Sequence, residues 1–573
     1  MTFILGISGY FHDSSICLLK NGELIEFLKE EELTRIKGSK SFPIRTLHHL
    51  IEEYALTNEN VDLVVFYEKP LKGWTARTTQ SLRTPKKSFK LLSSQLKEFW
   101  NGPIGFASKL RKNLKIPEDK IKYAPHHFSH ALSAMTFANK DIAQKPMLHF
   151  VFDGVGDDNC QSIILTESTD ASIIFEEKFP NSLGLFYSTI TDFCGFLVNE
   201  GEYKLMALAA FGKPVFADIM LNDMLQHEGH RIKLDLAWFD FLNTPERSFS
   251  EKFISEFGQP ISLKKISSVE DAEFKRAANL ASSAQVAIET VIYSIVEYGL
   301  NKFKCEGLTF TGGVAQNSLA MGNLVKKLPQ NMPVIIPPSP GDSGAAIGAA
   351  YFGKMLKSAE PLSTNNIFFG KLSEKIQPIM LEMFFDCVSK PNKSDEFFEQ
   401  LILDGHIVCT FFSGKEIGPR ALCNRSIICA ANNSKAVSDL NAKVKKREFF
   451  RPLAPVMLKE IAEKHFHILE NSKANYRWMA LTTKARSKFP SEYMPALHED
   501  KTARIQILDD KEHLIYKTLV RLKGRVDMLI NTSFNVAGDP IVHDLVDCYT
   551  NMQRLGVEYL ITGSGLFKLK AAE

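Results

Sequence analysis

Short apolar runs separated by glycine-containing turns dominate the start of the chain and predict β-structure. Phe3–Ile7 is an apolar run typical of a buried strand. Ser14–Leu19 and Glu23–Phe27 flank the dipeptide Asn21-Gly22, which favours a tight two-residue turn. The pattern therefore predicts a strand followed by a hairpin, with a loop rich in glycine, histidine, aspartate and serine between them.

Two later strands are predicted to end in the same kind of turn. Met147–Phe152 runs into Asp153-Gly154-Val155-Gly156-Asp157, and Leu308–Thr311 runs into Gly312-Gly313-Val314-Ala315-Gln316-Asn317. Glycines let backbone N–H groups approach a phosphate closely, and a carboxylate beside them can hold the accompanying metal or water. One such turn is usually only a turn. Three in order resemble the two-lobed actin/hexokinase-type ATPase fold, so the predicted fold class is α/β.

A change of composition near residue 360 predicts a domain boundary. Residues 358–366 are small and polar, and a new series of helices and strands with different candidate residues follows them. We expect one domain over residues 1–360 and a second over 361–573. Between Lys69 and Lys122 the chain is strongly basic, which is typical of a solvated helical insertion or of a positive rim that attracts an anionic ligand.

Composition excludes several classes of protein. The 573 residues are 45% hydrophobic and 24% charged, with a net charge of +3, which is too balanced for a surface devoted to nucleic acid. No run approaches the ~18 apolar residues of a membrane span, and no signal peptide is recognisable. The nine cysteines form no C-x-x-C pair, which favours a reducing compartment. We expect a cytoplasmic protein that binds neither nucleic acid nor a membrane.

The segment His126-His127-Phe128-Ser129-His130-Ala131 contains the first candidate site. On a helix, His126 and His130 stand at i and i+4 on one face, where they can share a metal, although such a pair can also be purely structural. His127 points elsewhere. Asp342, between glycines ahead of a small-residue helix, is the candidate third ligand. Two histidines and one carboxylate suit Fe(II), Zn or Mn and leave positions open for phosphate oxygens or water.

Arginines beside prolines, glycines and small hydroxyl residues form a second candidate site in the C-terminal part. A single arginine is usually a surface ion pair, but this setting is typical of a binding site. Guanidinium groups bind phosphate and carboxylate-like anions in a bidentate manner. No G-x-S-x-G motif or activated cysteine suggests covalent catalysis. The candidate anion-binding residues are Arg420, Arg447, Arg451 and Arg504, with Ser533 and Asn535 as neutral donors.

Taken together, the ordered motifs resemble the NodU/CmcH-type O-carbamoyltransferases, a family that includes enzymes acting on nodulation factors, cephalosporins and tobramycin. The resemblance spans essentially the whole chain. Its blocks include Gly9-Tyr10-Phe11-His12-Asp13-Ser14-Ser15, Glu32-Leu33-Thr34-Arg35-Ile36-Lys37, the His126–Ala131 motif, Gly341-Asp342-Ser343-Gly344, Lys445–Pro452 and Asn531–Asn535.

The resemblance implies two modules and a two-stage reaction. The first module would be similar to the tRNA threonylcarbamoyltransferases of the actin/hexokinase-type superfamily, and the second to YrdC-type domains. Carbamoyl phosphate and ATP, with Mg²⁺, would give carbamoyl-AMP in the second module. A hydroxyl of a sugar or natural-product acceptor would then take the carbamoyl group in the first. Fe(II) or another divalent metal is implied as cofactor, and a homodimer stays open.

The family's functional residues carry over onto matching positions of this chain. His12 is implied as the general base, because an imidazole with an ordinary pKa near 6.5 can take the acceptor proton at neutral pH. The implied metal ligands are His126, His130 and Asp342. Asp153, Gly154 and Asn317 are implied to line the nucleotide in the first module. Arg420, Lys445, Arg447, Arg451, Arg504, Ser533 and Asn535 are implied to bind carbamoyl phosphate and the nucleotide in the second.

Two departures from the family pattern affect these expectations. Cys423 stands where the family usually has glycine, which raises the question of whether the backbone there needs a positive φ. Gly38 replaces a frequent histidine, which predicts a difference in acceptor choice. Two other functions remain as alternatives, a kinase that yields ADP and a binding protein with a decayed site.

Overall fold

Two compact units make up the chain in the computed structural model, which describes residues 2–82, 102, 105–167, 170–263, 266, 268–370 and 376–570. The first unit comprises Met1–Ile25 and Lys40–Asn365, and the second comprises Glu26–Ser39 and Asn366–Glu573. The chain passes from the first unit into the second after Asn365, and a segment from its N-terminal part also belongs to the second unit. Much of the basic stretch between Lys69 and Lys122 lies outside the described residues.

The strands of the first unit, with β3 continuing into the segment that begins at Glu26, form two five-stranded sheets and a small hairpin. The first sheet has the order β3-β2-β1-β4-β5, and the second has the order β8-β7-β6-β11-β12. The strands are β1 (Phe3–Ser8), β2 (Ser15–Lys20), β3 (Glu23–Lys29), β4 (Val61–Phe66), β5 (Ile121–Tyr123), β6 (Met147–Gly156), β7 (Asn159–Glu167), β8 (Asp170–Lys178), β9 (Leu225–Glu228), β10 (Arg231–Leu234), β11 (Gly307–Thr311) and β12 (Val334–Ile335).

Both five-stranded sheets have the same connectivity. In each, the first three strands form an antiparallel meander, and the last two run parallel to the first strand of that meander. The first unit is therefore a two-lobed α/β structure, as the three glycine-containing turns predict. The hairpin between β2 and β3 is confirmed, with φ of 50° at Asn21 and 83° at Gly22, the left-handed pair that such a turn needs.

Helices cover the sheets of the first unit and place the candidate residues. They are α1 (Ile44–Tyr54), α2 (Pro70–Leu82), α3 (Phe106–Leu114), α4 (His126–Met135), α5 (Lys140–Ala143), α6 (Leu183–Phe193), α7 (Glu202–Leu208), α8 (Ala217–Ile219), α9 (Glu251–Phe257), α10 (Ala272–Lys302), α11 (Ser318–Lys327) and α12 (Asp342–Met355). Among the described residues, none of the helices is both long and apolar enough to cross a membrane.

Helix α12 packs very closely against helix α4, and this contact brings the candidate ligands together. A Cβ atom at Gly348 would lie 1.6 Å from the carbonyl oxygen of Ser129, so only glycine fits between the two backbones. Almost every residue of α12 is buried, because its alanines and glycines leave no bulk to hold the neighbouring elements apart. The close packing explains how Asp342, the first residue of α12, reaches the histidines of α4.

The second unit is built around an eight-stranded mixed sheet. Its order is β14-β24-β23-β15-β17-β22-β18-β21. The strands are β13 (Phe368–Phe369), β14 (Phe385–Ser389), β15 (Val408–Phe411), β16 (Lys415–Glu416), β17 (Ser426–Ala430), β18 (Ala454–Met457), β19 (Thr483–Lys484), β20 (Thr502–Ala503), β21 (Gln506–Ile507), β22 (Met528–Ser533), β23 (Tyr559–Thr562) and β24 (Gly565–Leu569).

Seven α-helices accompany this sheet in the described part of the second unit. One is a single short helix from the N-terminal segment, Glu30–Thr34. The others are α13 (Ile376–Phe384), α14 (Pro391–Leu403), α15 (Ser434–Asp439), α16 (Lys459–His465), α17 (Leu514–Leu522) and α18 (Leu545–Leu555). The central strands β15 and β17 are buried along their whole length, so the sheet forms the core that supports the loops around it.

Candidate active site

The two histidines of the H-x-x-x-H motif face each other on the first turns of α4. The Nε2 atoms of His126 and His130 are 3.1 Å apart, and both side chains are buried. Asp157 fixes the start of the helix, since its carboxylate accepts a hydrogen bond from the backbone N–H of His126 at 3.1 Å. His127 lies outside this pair, with its Nδ1 atom 2.6 Å from the hydroxyl of Ser162.

Two buried carboxylates complete a four-residue group with these histidines. Asp342 Oδ1 lies 3.3 Å from His130 Nε2 and 3.6 Å from His126 Nε2. Asp153, on the last part of β6, places its Oδ2 atom 3.0 Å from His126 Nε2. One ligand atom from each of the four residues lies within 4.8 Å of the others. Two imidazoles and two carboxylates form a donor set that can hold a divalent metal.

The chemistry of these side chains fits a cation. Within the described residues, neither carboxylate oxygen of Asp342 has a hydrogen-bond partner, although both are buried. His130 donates from Nδ1 to the carbonyl oxygen of Pro340 at 3.1 Å, so in the neutral imidazole the lone pair of Nε2 faces the carboxylates. A Cβ atom at Gly156 would lie 1.9 Å from the ring of His126, so glycine makes room for this imidazole.

Protonation equilibria in the group reflect the same concentration of negative charge. Burial disfavours the charged form of His130, but the carboxylates of Asp153 and Asp342 outweigh it and raise its pKa to about 9. The pKa of His126 is raised for the same reason. Burial opposes the charge of Asp153, but the two histidines hold the pKa of its carboxyl well below the usual range. A metal bound here therefore competes with protons for the imidazole nitrogens.

His12 lies beside this group on the loop between β1 and β2. Its Nε2 atom is 3.8 Å from Asp342 Oδ2, and its Nδ1 atom is 3.2 Å from Asp13 Oδ2. Asp13 and Tyr10 have φ values of 52° and 74°, so the loop holds two residues in the strained left-handed region. The loop is thus shaped to place His12 at the edge of the site.

The sequence predicts an ordinary pKa for His12, and this prediction is wrong, because the surroundings of His12 raise its pKa. Burial lowers the pKa, but the carboxylates of Asp342 and Asp13 outweigh burial and raise it to about 9. A cation held by Asp342 would offset that carboxylate's effect, since a positive charge disfavours a second one nearby. The tendency of His12 to accept a proton therefore depends on what Asp342 binds.

The residues implied to line a nucleotide in the first unit occupy different environments. Asp153 belongs to the candidate metal group, which sequence reasoning missed; its position directly after a buried strand, beside glycine, was the available signal. Asn317 caps α11 by accepting from Ala320 N at 2.9 Å, and its amide also bonds Gln285. Gly154 follows Asp153 on β6, with open space where a Cβ atom would stand.

In the second unit, Lys445 and Arg447 come together with the segment that contains Ser533 and Asn535. The buried Lys445 donates from Nζ to the carbonyl oxygen of Ser533 at 2.7 Å and to the side-chain oxygen of Asn535 at 2.8 Å. Arg447 donates to the hydroxyl of Thr532 at 2.9 Å. Strand β22 and the loop after it thus hold both cationic side chains in fixed positions.

Positive charge is concentrated around Lys445 and Arg447. Burial lowers the pKa of Lys445 well below its usual range, and the charges of Arg447 and Arg451 lower it further. Arg504 behaves in the same way, since burial and the charges of Arg420, Arg447 and Arg451 all lower its pKa. The Nε atom of Arg504 is buried without a hydrogen-bond partner in the described structure. Such crowding of cations is typical of a site that binds a multiply charged anion.

Glu416 organises the loop that carries Arg420. Its Oε1 atom accepts from the backbone N–H groups of Leu422, Asn424 and Arg425 at 2.7, 3.0 and 2.9 Å. Sequence reasoning did not identify this carboxylate, because nothing in its local sequence shows that distant N–H groups converge on it. We name the surroundings of Lys445, Arg420, Arg447, Arg451 and Arg504 the anion site.

Cys423, in this same loop, has φ of 85°, so the backbone there does adopt the conformation that favours glycine. We expect Cys423→Gly to unfold at a higher temperature than Cys423→Ala, because the left-handed region costs a residue with a Cβ atom ~1–2 kcal/mol. The measurement is the midpoint of thermal unfolding. Cys429, buried in β17, is the matched control, and there the alanine variant should be the more stable. The same order at both positions would contradict the assignment of strain to Cys423.

Comparison with known proteins identifies the family of this chain. The family profile "Carbamoyltransferase N-terminus" matches residues 3–351, and "Carbamoyltransferase C-terminus" matches residues 399–568. The uncharacterized protein sll1178 of Synechocystis is 32% identical, with 98% of this chain and 96% of that protein covered. The nodulation protein NolNO of Sinorhizobium fredii is 26% identical, with 98% and 80% covered.

Two further similarities are more distant. The 3'-hydroxymethylcephem-O-carbamoyltransferase of Amycolatopsis lactamdurans is 27% identical over 63% of each chain. The solved structure of HypF from T. kodakarensis is 14% identical and covers 63% of this chain and 48% of its own, but its TM-score of 0.35 is too low to carry an argument. The family profiles together span most of the sequence, and the NodU/CmcH-type resemblance is confirmed. The chain belongs to the carbamoyltransferase family and is an enzyme that transfers a carbamoyl group.

Proposed function

We propose that this protein is an ATP-dependent O-carbamoyltransferase whose anion site makes carbamoyl-AMP and whose candidate metal site supports transfer of the carbamoyl group to an acceptor hydroxyl. The observation that carries the proposal is a cluster of four cations, in which burial and the nearby charges of Arg447 and Arg451 lower the pKa values of Lys445 and Arg504. Carbamoyl phosphate and the triphosphate of ATP are anions that would relieve this repulsion. Family membership supports the carbamoyl group as the cargo.

The first stage of the proposed reaction has two steps. Water cleaves carbamoyl phosphate to carbamate and phosphate, and a carbamate oxygen then attacks the α-phosphorus of ATP. The bond from that phosphorus to the bridging oxygen breaks, and pyrophosphate leaves with Mg²⁺. The arginines stabilise the charge that develops on the phosphate oxygens, and bidentate guanidinium contacts orient the two reactants. Lys445 and the Ser533–Asn535 pair hold the nucleotide.

In the second stage, the acceptor oxygen attacks the carbamoyl carbon, AMP leaves, and the acceptor proton moves to His12 Nε2. A divalent metal, held by His126, His130, Asp153 and Asp342, would supply a positive charge that binds phosphate oxygens and polarises the reacting carbonyl. Fe(II) suits a set of histidines with carboxylates, as do Zn and Mn. Gly154 and Asn317 are proposed to line the nucleotide here.

His12→Ala is expected to block transfer while sparing the first stage, because the imidazole lies with the metal group and not in the anion site. Loss of a general base lowers the rate of transfer by about 100-fold to 10,000-fold. The measurement is carbamoylated acceptor by mass spectrometry, together with pyrophosphate released from ATP in the presence of carbamoyl phosphate. His48→Ala, on helix α1, is the matched control and should leave both unchanged.

The same assay tests the proposed function. Pyrophosphate and AMP formation that requires carbamoyl phosphate supports it, whereas ADP formation without carbamoyl phosphate would favour a kinase. If His12→Ala also stopped pyrophosphate release, the proposed division of labour between the two sites would be wrong. A screen of hydroxyl-bearing acceptors with labelled carbamoyl phosphate then identifies the substrate class.

A further inference from the structure

The segment Glu26–Ser39 lies early in the sequence but belongs to the second unit. It contains the short helix Glu30–Thr34, which ends at Arg35, where φ is 58° and the chain turns sharply. Gly38 closes this turn by donating its backbone N–H to Glu31 Oε2 at 2.8 Å. The segment therefore consists of the end of β3, a short helix and a turn that an internal hydrogen bond closes.

Two sets of contacts hold the segment in the second unit. The guanidinium of Arg35 donates to the carbonyl oxygens of Ile541 and Pro540, each at 2.8 Å, and lies 3.0 Å from the carboxylate of Asp547. Glu32 forms an ion pair with Lys415, which precedes the loop-organising Glu416. The side chains of Glu32 and Lys415 are only 12% and 11% exposed, so this ion pair is shielded from water and holds the segment against the second unit.

The loop held by Arg35 is also the loop that supports the anion site. Asn535 donates from its amide to the carbonyl oxygen of Asp539, one residue before Pro540. The side-chain oxygen of the same asparagine accepts from Lys445 Nζ at 2.8 Å. Arg35 therefore holds one end of the loop that positions Lys445.

Lys37 follows Arg35 by two residues and adds a further positive charge near the loop that positions Lys445. Its charge acts on Lys445, whose pKa it helps to lower together with Arg447 and Arg451. Lys37 lies between two fixed points, the contacts of Arg35 with the loop at Ile541 (the Arg35 clamp) and the hydrogen bond from Gly38 to Glu31. The direction of the backbone at Lys37 is therefore fixed.

We infer that Lys37 is a phosphate-binding residue of the anion site and that Arg35 is the positioning residue that holds it there. The inference rests on the proposed function for the identity of the anion, a phosphate or polyphosphate substrate. A lysine ammonium binds phosphate as a compact point charge, and an added cation strengthens binding most where the site is partly shielded from water.

Titration of the full chain with pyrophosphate tests the role of Lys37. Lys37→Gln is expected to bind pyrophosphate about tenfold more weakly than the unmodified protein, because a charge-assisted hydrogen bond is lost. Lys37→Arg keeps the charge and should retain most of the affinity. The matched control is Lys40→Gln, since Lys40 is exposed and lies just beyond the segment. Affinity of Lys37→Gln within twofold of the unmodified protein would overturn the inference.

A double-mutant cycle distinguishes the positioning of Lys37 by Arg35 from a general loss of structure. If Arg35 acts by holding Lys37, adding Lys37→Gln to Arg35→Gln should weaken pyrophosphate binding by no more than about twofold further. Full additivity of the two losses would contradict the positioning role. If Arg35→Gln does not fold, Arg35→Lys provides the same cycle. Absence of carbamoyl-phosphate-dependent pyrophosphate release in the unmodified protein would refute the proposed function alone, because the binding measurement requires no turnover.

Discussion

Asp342→Asn is expected to prevent a divalent metal from binding at the candidate metal group and to lower the rate of carbamoyl transfer by about 1,000-fold, the effect of losing several kcal/mol of charge stabilisation. Asp342 Oδ1 lies 3.3 Å from His130 Nε2, and both oxygens of this buried carboxylate lack a hydrogen-bond partner within the described residues. Asparagine keeps the volume but removes the charge that attracts the cation. The measurements are metal content by elemental analysis and transfer by mass spectrometry.

Two controls make this prediction specific. Pyrophosphate release should continue, because the anion site lies in the second unit and contains none of the four metal-group residues. Asp218→Asn removes an exposed carboxylate from the same unit and should change neither metal content nor transfer. An Asp342→Asn protein with its full complement of metal would show that this carboxylate is not a ligand.

The second large effect is expected for Arg504→Ala, which should lower pyrophosphate release by about 100-fold to 1,000-fold. Burial and the nearby charges of Arg420, Arg447 and Arg451 lower the pKa of Arg504, so its guanidinium belongs to the cation cluster where we expect phosphate charge to develop. Arg451→Ala should have a similar effect. Arg504→Lys keeps the charge without the bidentate geometry and should recover only part of the rate.

Thermal unfolding distinguishes loss of a ligand contact from loss of structure. Since the neighbouring cations repel Arg504, removing its charge should not lower the unfolding temperature of the ligand-free protein. Added pyrophosphate should raise that temperature less in Arg504→Ala than in the unmodified protein. Arg486→Ala, an exposed arginine of the same unit, is the matched control for both measurements. Unchanged pyrophosphate release in Arg504→Ala would contradict its proposed role.

Local patterns predicted much of the fold. The Asn21-Gly22 turn and the strands around it could be predicted because the turn geometry depends on two adjacent residues. The i, i+4 spacing likewise placed His126 and His130 on one helical face, and their Nε2 atoms do face each other. The periodicity of the sequence is sufficient to predict which residues face each other wherever those residues are close in sequence.

Long-range packing explains what the sequence could not predict. Asp153 joins the metal group only because β6 ends beside the start of α12, and the raised pKa of His12 depends on distant Asp342. Cys423 could be suspected of positive φ only from the family pattern, and its value of 85° follows from the loop around Glu416. The place of Glu26–Ser39 in the second unit has no local signal, because Arg35 binds partners that lie near the C-terminus.

The contacts of Arg35 with the second unit form late in the synthesis of the protein. Arg35 and Ile541 are 506 positions apart, so the clamp cannot close until translation is nearly finished. At about 5–20 residues per second, the segment waits roughly 25–100 seconds on the ribosome before its partners emerge. Nascent chains that terminate early would therefore carry a complete set of metal-group residues but no finished anion site, and neither half expressed as a contiguous piece would contain the whole second unit.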